Sequence, residues 1–266
     1  MDTPHCQPQG STGRVLQPED PLLAFLDSMP LRYREQFDAV TATRHARVVA
    51  ERGLRATSIG LFPSPHREGM GLCIVASDEP GLLALISAAL VLCGLDVIEA
   101  EAYTRVTHGG NIEAVDLFWV RHLYPDHEEE VTERDARAVR EALMELLAGR
   151  YGQATAPQRS PGSLTPGASE TSVRFIEGSQ GNIVTLEVET RDRSGLLLAV
   201  TQALFREQVQ IVGSHIATRG GRVYDRFEIL ELDGSPIGNA HRHALQLAVL
   251  AAIDNGGTAS VASSCG

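Results

Sequence analysis

Two short stretches of this chain have the residue types to hold a small charged molecule, and they are nearly the same stretch. Asp78-Glu79-Pro80-Gly81-Leu82-Leu83 returns 114 residues later as Asp192-Arg193-Ser194-Gly195-Leu196-Leu197. In each, an acidic side chain precedes a glycine that lets the backbone approach another group closely, and an apolar run follows. A helix starting at that glycine presents the amides of Gly81, Leu82 and Leu83, and of their counterparts Gly195, Leu196 and Leu197, with the positive end of its dipole behind them. Such an end attracts a carboxylate or a phosphate. Asp78 and Asp192 stand where N-caps belong, and a plain helix start is the structural alternative. An amino acid's ammonium would need an acceptor opposite, which Asp96 in the first copy and Gln210 in the second offer where the next strand opens. A β-branched side chain at Gly81 or Gly195 should crowd the carboxylate and leave the fold intact.

The elements that would position these loops repeat with them. Leu82, Leu83, Ile86, Ala89 and Leu90 align with Leu196, Leu197, Val200, Ala203 and Leu204 as one apolar helical stripe. Thr104-Arg105 aligns with Thr218-Arg219, and Asp116-x-Phe118-x-Val120 with Asp225-x-Phe227-x-Ile229 once the second hairpin is five residues shorter. The first copy reads as strand 56–62, strand 70–77, helix 81–92, strand 96–106, strand 114–122 and helix 132–147. The second reads as strand 172–176, strand 182–190, helix 195–207, strand 210–218, strand 222–232 and helix 240–253. No sequence remains in the second copy for a strand after its last helix, so the leading strand of each copy is expected to hairpin onto the next and take that edge position.

The expected fold class is therefore α+β: two ferredoxin-like sandwiches, each a four-stranded antiparallel sheet with two helices on one face, preceded by an N-terminal helical segment interrupted at Pro30. Expected boundaries are a disordered N-terminus (1–20), the helical segment (21–52), the first domain (54–149), a Pro/Gly/Ser-rich linker (150–170), the second domain (171–254) and a flexible tail (255–266). Leu117 and Trp119 alternate with Phe118 and Val120, so both faces of that strand are apolar. The far face of the first sheet should be covered by a partner sheet, through side-by-side or face-to-face pairing of the repeats or in a homodimer.

Composition excludes several functions. A net charge of −11 and a pI near 5.3, with no basic stripe, argue against a nucleic-acid partner. No run of about 18 apolar residues suggests a membrane span, and a cytoplasmic location is expected. Cys6, Cys73, Cys93 and Cys265 form neither a disulfide framework nor a metal-ligand spacing, and His241 and His243, two apart on a helix, face different ways. His127-Glu128-Glu129-Glu130 reads as the acidic start of a helix, and Gly109-Gly110 and Gly220-Gly221 as hairpin turns. No catalytic residues, metal ligands or cofactor are read from the chain.

Asp-x-Pro-Gly-Leu with its amphipathic helix, then Gly94-Leu95-Asp96-Val97-Ile98, a hairpin and an Asp-x-Phe strand, resembles the ACT domain, a small-ligand regulatory module. The resemblance covers about two thirds of the chain. The tandem pair, preceded by Met29-Pro30-Leu31-Arg32-Tyr33-Arg34 and a helix containing His45-Ala46, is further similar to the carboxy-terminal part of the bacterial PII uridylyltransferase/uridylyl-removing family, whose tandem ACT domains sense glutamine. The Gly-Ser and carboxylate signature of that family's nucleotidyltransferase domain and its His-Asp metal motif have no counterpart here. The family usually has Asn where Asp96 and Gln210 stand, and Ser194 replaces Pro80 in the second copy. The resemblance implies a non-catalytic sensor of an amino acid, glutamine among the candidates, with ligand-binding residues Asp78, Pro80, Gly81, Leu82, Leu83, Asp96, Asp192, Ser194, Gly195, Leu196, Leu197 and Gln210. It would act on itself as a homodimer or on an unidentified regulated protein. A ligand-free scaffold and a detached regulatory subunit of a uridylyltransferase-like enzyme are the alternatives.

Overall fold

The computed structural model describes residues 21–63, 69–107, 109–123, 130–149, 171–176 and 181–255. The expectations for the terminus, the linker, the tail and the His127 run lie wholly or mostly outside these residues.

The chain opens with three helices, α1 (Pro21–Ser28), α2 (Leu31–Gln36) and α3 (Ala39–Arg52). Pro30 breaks the first from the second. A second break, which apolar spacing alone did not indicate, falls at Phe37 and Asp38. There the Asp38 carboxylate accepts from the Thr41 amide at 2.7 Å and starts α3 as an N-cap. The first repeat follows as β1 (Thr57–Phe62), β2 (Met70–Ser77), α4 (Leu82–Leu92), β3 (Leu95–Val106), β4 (Ile112–His122) and α5 (Glu133–Leu147). The second is β5 (Ser172–Ile176), β6 (Val184–Arg191), α6 (Leu196–Arg206), β7 (Val209–Arg219), β8 (Arg222–Glu231) and α7 (Asn239–Asn255).

All eight strands form one sheet in the order β1-β2-β4-β3-β7-β8-β6-β5, every neighbouring pair antiparallel. Each half is the expected ferredoxin-like arrangement, with the leading strand, β1 or β5, at the outer edge beside the strand that precedes the loop motif. The halves join side by side where β3 pairs with β7 from Glu99↔Ala217 to Tyr103↔Gly213. This pairing removes two edge strands whose unpaired amides and carbonyls would otherwise face solvent. Both seam strands carry a register shift at matching places, Val97/Glu99 and Ile211/Gly213, again 114 residues apart. The two halves are thus related by a local two-fold axis through the seam.

The helices α4 to α7 line one face, with α4 against α5 and α6, and α6 against α7. Every residue of both apolar stripes is buried there. The opposite face overturns the expectation of a covering partner sheet. On the first repeat it is covered by the chain's own N-terminal helices: Phe25, Tyr33, Ala42, Ala46 and Val48 pack on Phe62, Cys73, Val75, Leu117 and Trp119 in a second core. The Phe62 and Trp119 rings meet edge to face at 5.5 Å and Phe37 stacks on Trp119 at 6.4 Å. On the second repeat the same face is charged, with Arg174 and Arg226 flanking Glu187 at 2.8 and 2.7 Å. Leu117 and Trp119 of β4 correspond to Arg226 and Glu228 of β8, so each strand carries the chemistry of what lies over it.

Candidate functional site

The loop motif forms a tight turn before each helix. Pro80 and Gly81 are its central residues, with Gly81 at φ 87°, ψ −2° and the Leu82 amide donating to the Glu79 carbonyl at 3.0 Å. That is a type II turn, which favours proline first and requires a residue tolerant of positive φ second. The second copy repeats it with Ser194 and Gly195 (φ 73°, ψ 10°), and the Leu196 amide donates to the Arg193 carbonyl at 3.2 Å. Three expectations change in consequence. The N-cap positions belong to Gly81 and Gly195, not Asp78 and Asp192, and neither has a side-chain cap. The Leu82 and Leu196 amides are engaged by the turn and are not orphan donors. A Cβ on Gly81 would lie 2.6 Å from the Phe205 ring, so a valine there would disturb the end of α6 and not merely crowd a ligand.

Released from capping, Asp78 turns across the seam. Its carboxylate accepts from the Thr104 hydroxyl at 2.5 Å and from the Gln210 side-chain amide of the other repeat at 3.2 Å. A cleft of about 360 Å³ opens beside it, lined among others by Asp78, Gly81, Leu82, Leu83, Thr104, Asp116 and Gln210. The two-fold mate, about 430 Å³, is lined by Asp192, Gly195, Leu196, Leu197, Thr218, Asp225 and Asp96. Asp96 and Gln210 thus swap places relative to expectation: each faces the loop of the other repeat. The reason is topological, because β3 and β7 run antiparallel side by side and bring the opening of each strand to the neighbouring repeat's loop. Pro80 and Ser194 line neither cleft and serve the turn.

Sequence reasoning missed Thr104, Thr218, Asp116 and Asp225 as cleft residues, although all four stood out as matched positions in the repeat. Asp116 and Asp225 lie beneath the loop aspartates at 3% and 1% exposure. Burial pushes both carboxyls well above the ordinary carboxylate value, and the nearby Asp78 or Asp192 adds to the rise. The Asp78 carboxyl is also raised by burial, with its bonds to Thr104 and Gln210 opposing the shift. That of Asp192 is raised by burial and then by Asp96, against Arg121 and the Arg193 amide. The clefts differ in their satisfaction. Asp116 and Asp225 each accept from a backbone amide, of Tyr103 and Ala217, Asp78 accepts from Thr104 and Gln210 and Asp96 from Arg121, but Asp225 Oδ1 is buried with no hydrogen-bond partner. Arg193 at the rim of the second donates to the Ala252 and Ile253 carbonyls at 3.3 and 2.9 Å, near the negative end of α7. Acidic groups dominate both clefts: as carboxylates they accept hydrogen bonds from an amine or a carboxamide N–H, and where burial keeps Asp116 or Asp225 protonated the carboxyl also donates.

Fold and clefts together define a tandem ferredoxin-like module with two symmetry-related clefts shared between its halves. No protein-family profile matches the chain. Its homologues are bifunctional uridylyltransferase/uridylyl-removing enzymes: that of Rhodospirillum rubrum is 31% identical over 258 residues, covering 90% of this chain and 27% of the relative. The Gluconobacter oxydans enzyme is 32% identical over 233 residues (86% and 24%), and that of Rhodopseudomonas palustris 30% over 250 (91% and 26%). The chain spans about a quarter of the length of these relatives, and it resembles their carboxy-terminal region. Among the described residues no helix is long and apolar enough to cross a membrane.

Proposed function

We propose that this chain is a non-catalytic regulatory module of the ACT type that binds a small ligand, an amino acid with glutamine among the candidates, in the clefts at its seam and passes the result to a partner protein. The observation that carries this reading is the crossed construction of the clefts. A ligand touching Asp192 and Asp96, or Asp78 and Gln210, touches both repeats at once, so binding would bear on how the halves sit together. Burial of carboxyl groups under each loop suits the amine and the side-chain carboxamide of such a ligand. Similarity to a stretch of uridylyltransferases supports a regulatory role in nitrogen metabolism.

A scaffold reading has one observation in its favour: Asp78 is already satisfied by Thr104 and Gln210, which leaves the first cleft less in need of a ligand. A thermal-melt screen against the twenty amino acids at millimolar concentration separates the readings. A ligand at ten times its Kd adds about 1.4 kcal/mol and raises the midpoint by roughly 3–6 °C for a protein of this size. The rise should disappear in Asp192→Asn combined with Asp96→Ala. No rise with any amino acid refutes the sensor.

A further inference from the structure

The sheet face opposite the clefts carries a second cluster at the centre of the seam. Equivalent residues of the repeats lie 114 apart, and β3 pairs antiparallel with β7 so that Glu101 stands opposite His215. These two are each other's counterparts, and the local two-fold axis passes between them. Glu101 Oε1 is 2.6 Å from His215 Nδ1. Glu99, two residues back and so on the same face of β3, brings its carboxylate in as well, and one ligand atom from each of the three lies within 4.8 Å of the others. Among the described residues no other group of three His, Cys, Asp or Glu side chains converges in this way, in a chain with 34 acidic residues. Glu101 is 4% exposed, while Glu99 and His215 are half-buried, so the cluster is shielded yet open on one side.

We propose that Glu99, Glu101 and His215 form a divalent transition-metal site that ties the first repeat to the second. Two carboxylates and one imidazole make a mixed oxygen and nitrogen set suited to Zn²⁺ or Mn²⁺, with the remaining positions left to water. A dication balances two carboxylates set side by side on one strand. The N-terminal helices supply the outer layer that such ligands require. Gln36 Nε2 donates to Glu101 Oε1 at 2.9 Å, and the Tyr103 hydroxyl donates to Gln36 Oε1 at 2.9 Å, which fixes the amide and through it the carboxylate. Arg32, the cation over Tyr103, is directed elsewhere, to the Ala102 carbonyl and to Glu228. No spacing motif announces the site, because its ligands come from different repeats. It stands apart from the clefts and does not depend on what they bind.

The test is Zn²⁺ titration of the full chain, stripped with chelator, by calorimetry and thermal melt, against Glu99→Gln and His215→Asn. The wild type should bind one Zn²⁺ that each variant loses or binds at least about tenfold more weakly, and its zinc-induced rise in melting temperature should vanish with it. Counting the difference in bound zinc removes the contribution of other histidines and cysteines. Mg²⁺, which favours all-oxygen sites, should give no comparable rise. Glu99→Gln preserves side-chain size and the Glu101–His215 hydrogen bond, so it reports even where His215→Asn does not fold. No zinc bound by the wild type, equal zinc binding in wild type and Glu99→Gln, or an equal response to Mg²⁺ overturns the proposal.

Discussion

His45 should make the stability of this protein acid-sensitive by an amount that one substitution can isolate. It lies at 0% exposure on α3, sealed between the N-terminal helices and the sheet. Its Nδ1 is 2.7 Å from the Tyr33 hydroxyl, and its ring meets Phe62 at 4.3 Å and Phe37 at 5.4 Å. Nε2 is buried without a hydrogen-bond partner. Burial lowers the pKa from 6.5 to about 3, and repulsion by Arg44 adds to it. Between those values the unfolded chain binds a proton that the folded chain refuses. The neutral imidazole therefore contributes full stability above about pH 6.5 and loses it as pH falls toward 3. Integrated from pH 7 to pH 5, the loss is about 2 kcal/mol, or roughly 4–8 °C in melting temperature. Asp116 and Asp225, whose raised pKa values act in the opposite sense, contribute to wild type and variant alike and cancel in the comparison. The variant is His45→Asn, which keeps a polar partner for Tyr33 and cannot titrate. Urea unfolding followed through Trp119, the single tryptophan of the chain, reads the same cluster directly. His45→Asn should be less stable at pH 7 but lose about 2 kcal/mol less on going to pH 5. Parallel pH profiles for the two proteins would refute the assignment of a neutral, sealed imidazole.

Other substitutions probe the remaining contacts. Gly71→Ala places a Cβ 2.5 Å from the Phe62 ring, itself 1% exposed, and should cost about 1–3 kcal/mol by thermal or urea unfolding. Glu113 receives Arg105 Nη2 at 2.6 Å and also pairs with Arg52, joining α3 to the sheet with all three side chains nearly buried. Glu113→Gln leaves Arg52 and Arg105, which keep hydrogen bonds to Ser77 and Ser28, without their shared counter-charge and should cost about 3 kcal/mol, most visibly as early loss of the Trp119 signal. Asp225→Asn removes a carboxyl whose raised pKa makes the folded state bind a proton the unfolded state has released above pH 3.8. Wild-type stability from that group is present at low pH and is lost, by up to about 1.4 kcal/mol per pH unit, as pH rises toward the folded pKa. The variant should therefore gain on the wild type from pH 4 upward, and a gap independent of pH would argue against a buried, proton-holding Asp225.

Much of this molecule follows from its sequence alone, for local reasons. Period-3.6 stripes such as Leu82 to Leu90 and Leu196 to Leu204 fix helices, alternation fixes strands, and a leading strand at the same distance before each loop motif marks β1 and β5 as partners of β2 and β6. The two-sided apolar pattern of Leu117 to Val120 even signals a covered second face. Tertiary structure decided what covers it, because α1 to α3 are amphipathic helices whose target no periodicity names. It also decided which strand-opening residue serves which loop. Asp96 and Gln210 cross to the opposite repeat, Asp78 meets Gln210 instead of capping α4, and Glu101 meets its own counterpart His215. All of these depend on the antiparallel register of β3 against β7, a contact between residues more than a hundred positions apart. That register is set by edge pairing and two-fold symmetry, on which the spacing of neighbouring residues carries no information.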